Sequence, residues 1–247
     1  MDTQRRGGFL LVLETRVITT GNSELDIKLA GGIPVPSLIV VEGEHGSGKT
    51  VLIQQFIHGA LLSGLRTTVI TTEATTIGYV RQMIGVGFDV LNHYLNGSLI
   101  VYSSRIPRIK WVESTGRTLL ELVQNHIIRS VNKYDVYVID SFTTLIKGAS
   151  AENVSNFLTI VKKLVDRGKT FILSIHPEGL DKETYLFLKA IADGYMELRN
   201  VEMGGRLMKA LNIIKLKGAP TAYNTTITFE VDPAFGIKLV PMALAKV

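Results

Sequence analysis

The sequence predicts an α/β fold: a mainly parallel central sheet flanked by helices, followed by antiparallel strands toward the C-terminal end. Three observations predict it. Short apolar runs alternate with longer helical patterns through the first two-thirds of the chain, as in parallel strands joined by crossover helices. A glycine-rich loop stands between one such run and the helical pattern after it. From about Gly194 the helical periodicity stops, and strand-like runs follow one another across turn signals.

Taken in order, Ser37–Glu42 reads as a strand and Gly48–Ser63 as the helix that follows. Arg66–Thr72 is a second strand, whose β-branched and apolar residues suit a buried position. Thr76–Ile84 reads as a short helix and Ser98–Ser103 as a strand. Arg117–Val131 carries Leu119, Leu120, Leu122, Val123, Ile127 and Ile128 at helical spacing. Asp135–Asp140 is a strand, Ala151–Arg167 a helix with Gly168 placed to cap it, and Lys169–His176 a strand. Gly194–Val201, Arg206–Lys217, Thr225–Val231 and Gly236–Val240 complete the antiparallel end, with turns at Gly204-Gly205, Gly218–Pro220 and Asp232–Phe235.

The 247 residues contain no internal repeat or low-complexity linker, and they are read as one domain over 1–247. Residues 1–16 form an N-terminal extension and 194–247 an antiparallel one. Hydrophobic residues make up 46% and charged residues 20%, which suits an ordered globular chain. No run approaches the roughly 20 apolar residues that cross a bilayer; Phe9–Leu13 is cut by Glu14 and Arg16. Without cysteine there is no disulfide framework and no thiolate metal site. With no secretory signal pattern, the expected location is the cytoplasm.

The net charge of +5 would suit an anionic partner, but the charges are scattered. Arg5-Arg6 and Arg105–Lys110 are the densest groups and read as solvated surface.

Residues 43–50 read Gly43-Glu44-His45-Gly46-Ser47-Gly48-Lys49-Thr50, a complete G-x-x-x-x-G-K-[ST] phosphate loop. Its glycines let the backbone bend around a phosphate so that several N–H groups converge on the oxygens. The helix that follows adds unsatisfied amides and the positive end of its dipole. Lys49 is placed to reach the β- and γ-phosphates and Thr50 to ligate Mg²⁺, so the expected ligand is ATP with Mg²⁺. Chance would produce the pattern in roughly one chain of this length in a hundred, and here it also lies in the required strand–helix context.

Asp140 closes an apolar strand and is the candidate to hold Mg²⁺ through its water shell; an Asp at a strand end otherwise only caps a turn. Glu73 follows the strand Arg66–Thr72. If that strand lies beside the phosphate-loop strand, Glu73 is placed to orient an attacking water as general base; otherwise it is an exposed loop carboxylate. Ser141 and Ser174, also at strand ends, either sense the γ-phosphate or close turns, and for Ser141 the turn is favoured. His45 occupies a variable position of the loop, which argues against a metal or catalytic role.

With their flanks, these residues resemble the KaiC-like branch of the RecA superfamily. Thr20–Asp26 is similar to that branch's "TGxxxLD" segment, Leu29–Pro34 to its "LxGGIP" approach to the loop, and Ile139–Phe142 to its "IDS" strand end. Ile214–Gly218 is similar to a late "K-x-[RK]-G" strand. The resemblance implies a RecA-like core and a ring, expected to be hexameric, in which Lys215 and Lys217 reach the nucleotide of a neighbouring subunit. The length, the Gly-Glu-His-Gly opening of the loop and the sequence Gly32–Pro36 further resemble archaellum accessory proteins. That implies a place at the cytoplasmic face of the membrane, working with the archaellum motor ATPase and its membrane platform protein. Many KaiC-like domains carry two adjacent glutamates where this chain has Glu73-Ala74, which implies slow hydrolysis and a binding-driven switch.

Two other readings are weighed. A DNA-dependent recombinase-type ATPase suits the basic charge, but the only suggestive cluster is Tyr102, Arg105, Arg108 and Trp111, and nucleic acid is not expected as a partner. An autokinase follows from KaiC resemblance alone; against it, this chain has one copy of a domain that clock-type KaiC proteins carry twice.

Overall fold

A computed structural model describes residues 16–104, 113–203 and 205–241. The stretches 1–15 and 105–112 lie outside the described residues, and with them Arg5-Arg6, Phe9–Leu13, Arg105, Arg108 and Trp111. In chain order the elements are β1 (Arg16–Ile18), α1 (Ser23–Lys28), β2 (Ile33–Val35), β3 (Leu38–Gly43) and α2 (Lys49–Leu62). Next come β4 (Thr67–Thr71), α3 (Thr76–Gly85), α4 (Leu91–Leu95), β5 (Leu99–Ser103), α5 (Glu113–Ser130) and β6 (Val136–Asp140). Then follow α6 (Phe142–Leu145), α7 (Ala151–Val165), β7 (Thr170–Ile175), a 3₁₀ turn (Pro177–Gly179) and α8 (Lys182–Ile191). The chain finishes with β8 (Gly194–Met203), β9 (Arg206–Leu216), β10 (Thr226–Asp232) and β11 (Gly236–Leu239).

The main sheet has nine strands in the order β11-β10-β9-β8-β3-β7-β6-β4-β5. From β8 to β5 every pairing is parallel; β8–β9, β9–β10 and β10–β11 are antiparallel. The expected architecture is therefore present. Central strands are buried on both faces, which is why they read as continuous apolar runs. In β3, Ile39 and Val41 join one core with Leu52, Ile53, Phe56 and Ile57 of α2. Leu38 and Val40 join the other, with Phe157, Leu158 and Val161 of α7 and Leu188 of α8. The two-residue side-chain period of a strand produces this division.

The elements β1, α1, β2, α4, α6 and α8 have no counterpart among those read from the sequence. Helix α1 spans 6 residues and is stopped by a glycine pair, although Asn22 caps it through its side chain to Leu25 N. The β1–β2 ribbon has three-residue strands and contains Pro34. Helix α8 is better marked: Asp181 caps it by accepting from Thr184 N at 2.8 Å. Its apolar positions sit close to the strand runs on either side and are hard to separate from them by periodicity.

Candidate nucleotide site

All the parallel strands of the sheet end on one edge, and an open α/β sheet collects its ligand-binding loops there. Strand β3 ends at Gly43 and its chain turns into α2 through Glu44–Gly48. Gly46 and Gly48 have φ of +74° and +97°, a left-handed conformation that glycine adopts without strain. The first turn of α2 has no side-chain cap, since Gly48 is its N-cap residue. Its amides are left for an anion. The buried Ser47 hydroxyl also has no partner. These uncapped donors in a concave loop fit a phosphate.

Lys49 opens α2 and is buried. Its ammonium donates to Gly43 O at 2.6 Å and Glu44 O at 2.8 Å, so it lies folded against its own loop. Burial pulls its pKa down, opposed by the carboxylates of Glu73 and Asp140.

Asp140 ends β6. Burial pushes its carboxyl up, opposed by hydrogen bonds from Ser174 and Thr50. Ser174 Oγ, on the intervening strand β7, donates to Asp140 Oδ1. Thr50 and Asp140 line the same cavity, of about 380 Å³, with His45, Gly46, Gly48 and Lys49. A hydroxyl beside a carboxylate at the floor of a phosphate loop fits the hard-oxygen preference of Mg²⁺. Ser141 instead caps α6, accepting from Thr144 N.

Glu73 also lines this cavity, but not by the route expected. Its strand β4 is not beside β3; β7 and β6 lie between them. Glu73 reaches the site because parallel strands end on a common edge, and because a residue from the intervening β7 loop meets it. That residue is His176. Its Nε2 is 3.2 Å from Glu73 Oε1 and its Nδ1 is 3.3 Å from Lys49 Nζ. The His176 hydrogen bond holds the Glu73 carboxyl below its ordinary range. His45 stacks on His176 with ring centroids 4.1 Å apart.

Sequence reasoning passed over His176 and Lys209. The first directly follows an apolar strand, a usable signal given the loop. Lys209 Nζ donates to Gly46 O at 2.6 Å from the antiparallel strand β9, a contact that spans 163 residues and has no local signature.

Lys215 and Lys217 are not brought to this chain's own loop. In the β8–β9 register Lys215 faces Tyr195, while it is Leu198 that pairs with Gly43. The Lys215 ammonium donates to Lys189 O at 2.8 Å and Ala190 O at 3.3 Å, at the C-terminal end of α8. Tyr102 lies elsewhere, on the sheet-edge strand β5. It lines a cavity of about 420 Å³ with His126, Arg129, Lys133 and Tyr134.

The mostly parallel sheet flanked by helices is RecA-like, and the loop Gly43–Thr50, the buried Asp140 and Glu73 stand together at its strand ends. The sequence model of the KaiC ATPases matches residues 18–243, and the chain belongs to that family. It is 38% identical over 230 residues to the archaeal flagellar ATP-binding protein FlaH of Sulfolobus acidocaldarius, covering 93% of this chain and 99% of that one. The FlaH protein of Methanocaldococcus jannaschii is 28% identical over 227 residues, covering 92% and 96%. The crystal structure of flagellar accessory protein FlaH from that organism superposes with a TM-score of 0.81 at 28% identity, covering 88% of this chain and 95% of that one. Among the described residues no helix is long and apolar enough to cross a membrane.

Proposed function

We propose that this chain is an ATP-binding component of the archaellum motor, in which Mg²⁺–ATP occupancy controls assembly and hydrolysis is slow at most. The observation that carries the reading is the convergence of Lys49, Thr50, Glu73 and Asp140 on one cavity at the head of an uncapped helix. The FlaH names of its full-length relatives supply the archaellum context. Thr50 and Asp140 would hold Mg²⁺, which neutralises phosphate charge when bound. Slow turnover is supported by Glu73, a single carboxylate engaged by His176 and followed by Ala74 where many relatives of the branch carry a second glutamate.

In this reading ATP bridges the loop of one subunit to Lys215 and Lys217 of the next in a ring, expected to be a hexamer. Ligand and neighbour then stabilise the same state, which couples occupancy to assembly. The ring sits at the cytoplasmic face of the membrane, against the motor ATPase and the membrane platform protein. The test is light scattering after size exclusion, with and without ATP. Wild-type protein is expected to enlarge with ATP, Lys49→Ala to lose nucleotide binding and assembly together, and Lys217→Ala to lose assembly while still binding nucleotide. Unchanged assembly in both variants overturns the bridging reading.

A further inference from the structure

We propose that His45, His176 and Glu178 form a binding site for a borderline transition-metal ion such as Zn²⁺, at the mouth of the phosphate cavity and separate from the oxygen pair Thr50 and Asp140. Each of the three side chains offers one ligand atom, and these atoms lie within 4.8 Å of one another. Two imidazoles and one carboxylate are a donor set that Zn²⁺ prefers and Mg²⁺ does not. Three protein ligands leave a fourth position, as in open zinc sites, and two of the three, His45 and His176, line the phosphate cavity.

The surroundings of His176 supply a second and independent indication. Its Nε2 faces Glu73 Oε1 at 3.2 Å. A carboxylate accepts there, so the ring proton sits on Nε2 and the lone pair on Nδ1. Nδ1 is the nitrogen that faces Glu178, 3.8 Å from Oε1. A ligating imidazole whose other nitrogen donates to a carboxylate is the usual outer shell of a metal-bound histidine. Glu178 belongs to the 3₁₀ turn Pro177–Gly179 directly after β7, which fixes its backbone relative to His176. His45, whose variable loop position argues against a metal role in the sequence alone, stacks on His176 in the fold, and that contact reverses the expectation. Bonds of about 2.0–2.1 Å place tetrahedral ligands roughly 3.4 Å apart, a contraction that the exposed His45 and Glu178 side chains can make.

One group opposes the ion. Lys49 Nζ lies 3.3 Å from the same His176 Nδ1, so ammonium and metal compete for one lone pair. Resting on the nucleotide reading above, phosphates that draw Lys49 away would free Nδ1, and metal and nucleotide would then bind cooperatively.

The test is titration of metal-free, full-length protein with Co²⁺ as a coloured probe, followed by displacement with Zn²⁺, all without nucleotide. One ion per chain is expected, with the intense visible absorption of four-coordinate Co²⁺. His45→Ala and Glu178→Gln should each weaken it at least tenfold, and Lys49→Ala should tighten it several-fold by removing the competing cation. Absence of stoichiometric binding, or affinities unmoved by both ligand variants, overturns the site, as does weaker binding in Lys49→Ala. Nucleotide binding to Glu178→Gln, measured in Mg²⁺ alone, should match wild type. It reports on the phosphate site separately, so failure of the metal site and failure of the nucleotide reading are distinguishable.

Discussion

Lys209 and Gly46 are 163 residues apart in sequence, yet the lysine ammonium donates to the glycine carbonyl at 2.6 Å. The same ammonium is 3.0 Å from Asn200 Oδ1 on the neighbouring strand. The antiparallel end of the sheet thus holds the tip of the phosphate loop. The stem of Lys209 also lies where a Cβ on Gly48 would fall, 2.8 Å from its Cδ.

Lys209→Ala removes this tie without emptying the core. A net hydrogen bond contributes about 1 kcal/mol, so nucleotide affinity is expected to fall about fivefold, with thermal stability nearly unchanged. Titration with a fluorescent ATP analogue checks this. Wild-type affinity in the variant would show that β9 plays no part in shaping the loop.

Glu73→Gln keeps the side chain's size and its place beside His176 while removing the base. General-base catalysis contributes roughly 10²–10⁴-fold, so any ATP turnover the wild type shows should drop by at least tenfold. Nucleotide affinity should hold. Equal phosphate release from both proteins would remove Glu73 from the chemistry.

Gly59 lies inside α2, where alanine is ordinarily the better residue by up to about 1 kcal/mol. A Cβ at this position would stand 2.0 Å from Thr19 O and 2.6 Å from Thr20 Cα. Backbone cannot yield as a side-chain tip does, so Gly59→Ala is expected to destabilise by about 1–3 kcal/mol, the cost of overpacking. Urea unfolding measures it, and a stabilised variant would mean the Thr19–Thr20 segment moves freely.

Glu42 immediately precedes the phosphate loop and is buried. Its carboxylate accepts from Tyr195 OH, and more distantly from Tyr185 OH at 3.4 Å. Burial pushes its pKa up, opposed by the Tyr195 hydrogen bond and the Lys189 ammonium. The folded state therefore keeps a proton at pH values where the unfolded chain, with its ordinary pKa near 4.3, has lost it. In that window the folded form binds more protons, and this group's contribution falls as pH rises from the ordinary value through the raised one. Glu42→Gln should flatten this part of the stability profile, and unfolding midpoints across a pH series from about 4 to 8 read it. An identical slope in both proteins would place the effect on other groups.

The sequence by itself determined the order of the long strands and helices from β3 onward except α8, together with the phosphate loop and the strand-end Asp140. Apolar runs, helical periodicity and an eight-residue motif are local signals, and each is set by the geometry of one element. Ring and motor partners were legible only as implications of resemblance, whereas the Mg²⁺ expectation came from Thr50 and Asp140 themselves. Tertiary structure decided what depends on strand order. It put β7 and β6 between β3 and β4, so Glu73 meets the site through His176 and not through an adjacent strand. It also folded β9 back so that Lys209 supports the loop, while Lys215 binds the end of α8. Strand order arises from which apolar faces bury one another across long separations, and no short stretch of sequence carries that information.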